Sequence, residues 1–180
     1  MENLPNQFFY SKEEDRLNVI SHGIGFILSI IGLIFLLNKG LQDFNLLRFL
    51  SFLIYGISLS TMYIASTLYH NSKTPEGRYK FRLFDMVSIY LLIAGSYTPF
   101  TLNVLIDSGG LTLFLLVWVI AFIGIIWKIF TVGSYNISST LLYIFMGGLW
   151  LFFIDAFINE IPQNALISVS YTHLRAHETV

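Results

Sequence analysis

Phe49–Tyr69, FLSFLIYGISLSTMYIASTLY, runs without one charged side chain and ends against His70. Crossing about 30 Å of hydrocarbon takes roughly 20 mostly apolar residues, and this run has that length. It is too long for an ordinary strand and lacks alternation, and a helix satisfies its own backbone in lipid. Working outward, the same reading applies to Leu17–Leu37, which contains His22, to Met86–Ile106, to Leu111–Trp127 and to Ile137–Ile154. The sequence therefore predicts an all-α fold, a polytopic transmembrane helical bundle with five visible spans. Trp127, Tyr135 and Trp150 near span ends suit an interfacial aromatic belt.

Composition agrees. Hydrophobic residues make up 55 % of the 180-residue chain, aromatics 17 % and charged residues 12 %, with a mean hydropathy of +0.69. A soluble domain carries about 25 % charged residues. With no cysteine, a disulfide framework or thiolate site is excluded. A net charge of −1 gives no case for nucleic acid. The polar, acidic first residues do not read as a cleavable signal peptide.

The loops give an orientation. With five spans, the amino-terminal segment and the stretches 71–84 and 128–136 share one side, holding Lys12, Arg16, Lys73, Arg78, Lys80, Arg82 and Lys128. The other side holds Lys39 and Arg48. Seven against two predicts a cytoplasmic amino terminus in the cell membrane. His70, at the end of span two, and Asp85, at the start of span three, then lie near the cytoplasmic face, with His22 at similar depth.

Ionisable groups at that depth are costly, and His with Asp is a metal or proton-transfer pairing. Ser66 lies one helical turn before His70 on the same face and could bond a ligand or a metal-bound water. Plainer readings exist for each residue. A helix-end histidine at the interface accounts for His70 by position, and Asp85 could simply cap a helix and favour its dipole. His22, beside Gly23 and Gly25, fits close helix packing with a bond across helices. Asp155, at the far end of span five, reads as a snorkelling or capping residue. Convergence of His22, His70 and Asp85 in one layer favours a site.

Four ordered stretches resemble the signatures of the bacterial hemolysin III proteins, which belong with the progestin and adiponectin receptors in one superfamily. They are Asn18-Val-Ile-Ser-His22-Gly-Ile-Gly, Ser66-Thr-Leu-Tyr-His70-Asn-Ser, Arg82-Leu-Phe-Asp85 and Ala94-Gly-Ser-Tyr-Thr-Pro-Phe100. Tyr143-Ile-Phe-Met-Gly-Gly148 resembles the start of that family's fifth span, and the likeness covers roughly residues 8 to 168. The resemblance implies seven helices and a cytoplasmic amino terminus. It further implies a zinc ion held by a span-two histidine and a His-x-x-x-His pair on span seven, with a span-three aspartate near the metal's water. On that basis His70 and Asp85 are the expected metal residues, and Asp85 and Ser66 the expected catalytic pair. A zinc-bound water of lowered pKa makes hydrolysis of a lipid amide, as in ceramidase-like relatives, the expected chemistry. Membrane lipid would be partner and substrate. A receptor or scaffold with structural zinc, and a cytolytic membrane protein, are the alternative functions.

The chain departs from that pattern after Ile161-Pro-Gln-Asn-Ala-Leu-Ile167. It ends Ser168-Val-Ser-Tyr-Thr-His-Leu-Arg-Ala-His-Glu-Thr-Val180, which is polar and short of a span. The expectation is an incomplete membrane domain over residues 1–168 and a foreign, surface-lying tail over 169–180, from a truncated reading frame. His173 and His177 have His-x-x-x-His spacing, but no apolar run follows them, and the match reads as accidental.

Overall fold

A capping box opens the first helix. Ser11 Oγ accepts the Glu14 amide at 3.2 Å while the Glu14 carboxylate accepts the Ser11 amide at 2.9 Å, so α1 (Lys12–Leu41) begins well ahead of the apolar run at Leu17. In this computed structural model, residues 10–42, 45–131 and 137–160 are described. They contain α2 (Leu46–Asn71), α3 (Pro75–Asn103), α4 (Gly110–Phe130), α5 (Ile137–Gly148) and α6 (Ile154–Glu160), with 3-10 turns at Ile106–Ser108 and Leu149–Phe153. Five helical stretches are long and apolar enough to cross a membrane, and no strand occurs among the described residues.

Three boundaries differ from the sequence reading. The stretch 71–84, taken as a loop, is helical from Pro75 onward, which reduces the α2–α3 connection to residues 72–74. Thr74 caps the helix by accepting the Gly77 amide at 3.2 Å, Pro75 supplies a pre-set φ, and Glu76 lies in the first turn, where the dipole favours it. Lys128, counted with a loop, lies in the last turn of α4 and is 1 % exposed. The fifth crossing extends to Glu160 and is broken at Gly148 by the Leu149–Phe153 turn.

Small residues set the packing, as expected where lipid removes the usual hydrophobic drive between helices. α2 lies between α1 and α3, α4 packs on the other side of α3, and α5 touches both α3 and α4. α2 buries Ser51, Gly56, Ser58, Ser60, Ala65 and Ser66. Leu33 of α1 packs against Gly56, Ser29 bonds Ser60 at 2.9 Å, and Gly95 of α3 closes on Ser58. On α4, Leu113, Val117, Ala121, Gly124 and Lys128 form one buried stripe at helical spacing, with the Tyr90 ring against Gly124. Gly109 makes the turn into α4 at φ 91°, a left-handed conformation suited to glycine.

The break in the fifth crossing is stitched by α3. Tyr97 Oη lies 2.9 Å from the Met146 carbonyl and 3.0 Å from that of Gly147, to which it donates, and it accepts the Trp150 amide at 3.2 Å. Backbone groups freed within hydrocarbon need such partners. Tyr97 belongs to a core with Tyr90, Ala94, Leu113, Val117 and Met146, while Phe35, Phe122 and Phe152 are exposed, as lipid-facing residues should be.

Candidate functional site at the basic-rich end of the bundle

Three helix faces meet at one end. On α1, Asp15, Asn18 and His22 follow i, i+3, i+7; on α2, Ser66 and His70 are one turn apart; on α3, Arg78, Arg82 and Asp85 follow i, i+4, i+7. The early start of α1 and the Thr74-Pro75 start of α3 put Asp15 and Arg78 on these faces.

Asp15 is the hub. Its Oδ1 lies 2.9 Å from His70 Nδ1 and accepts Arg78 Nη1 at 3.1 Å, while Oδ2 pairs with Arg78 Nη2. The side chains of Arg78, His70 and Asp15 are 3, 9 and 17 % exposed, so this tie among three helices is largely shielded. Arg78 also donates to the Tyr69 carbonyl at 3.1 Å and lies 5.1 Å from the centre of the Tyr69 ring, whose hydroxyl accepts Arg82 at 3.1 Å. A carboxylate only accepts, so the Asp15 contact places a proton on His70 Nδ1 and leaves Nε2 as the lone-pair nitrogen of the neutral ring. Asn18 Nδ2 stands farther from the same nitrogen, at 3.4 Å.

The predicted residues gather around that imidazole. The His22 ring lies parallel to His70, centroids 6.1 Å apart and planes 7° apart, and its buried Nδ1 has no hydrogen-bond partner among the described residues. Asp85 has Ser66, His70, His22 and Arg82 as the interacting side chains around its carboxylate. Close packing beside His22 occurs at Gly25, against Tyr63, whereas Gly23 has open space. Asp155 is exposed in the first turn of α6. His173 and His177 lie outside the described residues.

Sequence reasoning missed Asp15 and Arg78. The signal was present in the helical spacing of Asp15 to His22 and of Arg78 to Asp85, but assigning both charged residues to loops hid it. Among the described residues, no group of three or more His, Cys, Asp or Glu side chains is placed to hold a metal ion. His70 and Asp85 are a partial donor set. They do not fit zinc without further ligands.

Five apolar crossings with a shielded polar layer at one end define an integral, multi-pass membrane protein. The family model described as Haemolysin-III related matches residues 10–176. Hemolysin-3 of Bacillus cereus is 43 % identical over 139 residues, which cover 77 % of this chain and 63 % of that protein. A Hemolysin-3 homolog of Bacillus subtilis (strain 168) is 39 % identical over 145 residues, covering 81 % and 67 %. This chain belongs to the hemolysin III family. It spans about two thirds of the length of these curated relatives. No solved structure matches it.

Proposed function

We propose that the intact protein is a zinc-dependent hydrolase of lipid amides, with its basic-rich end and amino terminus on the cytoplasmic side of the cell membrane. One observation supports this above the others: Asp15 engages His70 Nδ1 at 2.9 Å and leaves Nε2 for a ligand or a proton, in the layer that also holds Asp85 and Ser66. Zinc, when bound, would polarise a water and an acyl carbonyl. His70 would be one nitrogen ligand, and the remaining nitrogen ligands would come from outside the described residues. Asp85 is the carboxylate suited to proton transfer, with Ser66 to orient it, and Asp15 positions the imidazole. The name of the relatives, Hemolysin-3, favours a second reading, cytolysis.

Zinc content and turnover of a panel of lipid amides, measured on the full-length parent and its His70→Ala variant, test the proposal. About one zinc per chain is expected, lost together with hydrolysis in the variant. Zinc without turnover would make the protein a receptor or scaffold, and leakage of liposomes without zinc would favour cytolysis. The 180-residue chain, and a version cut after Ile167, should both hold far less than one zinc. Near-unit zinc lost on cutting would assign His173 and His177 as ligands.

A further inference from the structure

A cavity of about 860 Å³ lies between the start of α1 and the α2–α3 turn, bordered by His70. That volume is within the range of small-molecule sites. Lys12 and Arg16 stand one turn apart on its α1 wall, and Lys73 faces them from the turn. Arg78 also borders it, but its guanidinium is engaged by Asp15 and by the Tyr69 carbonyl. Asp15 offsets Arg78, so the lining keeps the charge of Lys12, Arg16 and Lys73.

The position of the cavity selects among anions. Val19 and Ile20 continue the α1 wall into the apolar run, and beyond them Ile24 and Ile27 are 54 and 60 % exposed on the side of the helix shared with Arg16. That strip faces lipid, so a free phosphate reaches the cations only from water, whereas a lipid lying along the strip carries its own headgroup to them. We infer that the cavity seats the anionic phosphodiester headgroup of a membrane lipid, with its acyl chains along Ile20, Ile24 and Ile27 of α1. This inference needs no metal and no hydrolase activity.

The test uses the full chain in nanodiscs of equal parts phosphatidylcholine and phosphatidylglycerol at physiological salt. A trace of either lipid carries a diazirine near its headgroup, and crosslinks are mapped by peptide mass spectrometry. Juxtamembrane cations favour anionic lipid by roughly five-fold each. The phosphatidylglycerol probe should therefore label residues 10–20 and 70–73, which border the cavity, at least that much more than the phosphatidylcholine probe. The K12Q/R16Q/K73Q variant should lose the preference, and K12R/R16K/K73R should keep it, which separates lost charge from lost fold. K80Q removes a cation at the same end that does not line the cavity, and should change nothing. Equal labelling by the two probes, a preference that survives the triple glutamine variant, or an equal loss in K80Q would overturn the inference. Competition by inorganic phosphate would also overturn it, in favour of a free-anion site.

Discussion

Replacing Asp15 with alanine leaves the Arg78 guanidinium, 3 % exposed, with the Tyr69 carbonyl and ring but without its carboxylate. Removing one partner of a buried ion pair costs about 3–5 kcal/mol. The remaining contacts put this case at the low end, about 3 kcal/mol, or roughly a hundred-fold in the unfolding equilibrium. Arg78→Ala should cost less, about 1–2 kcal/mol, because Asp15 is more exposed and keeps His70 as a partner. The double variant should then fall short of the sum of the singles by about 2 kcal/mol. Reversible unfolding of the full chain in mixed micelles, followed by far-ultraviolet circular dichroism, measures all four species. Asp15→Asn, which retains an oxygen for His70, should lie between wild type and Asp15→Ala. A cost for Asp15→Ala within about 0.5 kcal/mol, as for an ordinary surface change, or strictly additive singles, would refute the three-helix tie.

Three further outcomes are expected. Tyr97→Phe, which removes the hydroxyl bridging the break in the fifth crossing, should cost about 1–2 kcal/mol in the same unfolding assay, and an unchanged midpoint would show that the break needs no partner. Gly110→Ala should cost about 2 kcal/mol, because a Cβ there meets the Thr101 and Leu105 carbonyls, while Gly147→Ala, with open space, should stay within about 0.5 kcal/mol by thermal denaturation. A reporter fused after Pro75 should be cytoplasmic and one after Asp107 external; the reverse pattern in an enzymatic topology assay would sink the assigned orientation.

Five crossings could be read directly because runs such as Phe49–Tyr69 advertise themselves by hydropathy alone. Hydropathy reports where a chain is apolar, not where it is helical, and the start of α3 shows the difference. Arg78, Lys80 and Arg82 kept that segment out of the apolar run, although Thr74-Pro75-Glu76 is a sound helix start. The same limit applied to Asp15, which stands before the apolar run yet sits on α1 because Ser11 and Glu14 cap it. His22, His70, Asp85 and Ser66 were legible as polar residues in or beside apolar runs. Their partners were not, since they lie on helical extensions beyond the hydrocarbon-length core. The break at Gly148 escaped because Gly147-Gly148, near neutral in hydropathy, leaves the apolar run intact, and hydropathy carries no backbone torsion.

The Asp15–Arg78 pair joins residues 63 positions apart, and a ribosome makes them in that order. At roughly 5–20 residues per second, Arg78 is synthesised about 3–13 s after Asp15. For that interval the first crossing carries a carboxylate at its edge whose Arg78 partner does not yet exist, and against the other described residues it buries only Ser29 and Gly40. The α2–α3 hairpin, with its short 72–74 connection, is the first later unit that can bring Arg78 and His70 to it. His70 of the second crossing can meet Asp15 first, and the ion pair closes only once the third crossing brings Arg78 to the same carboxylate.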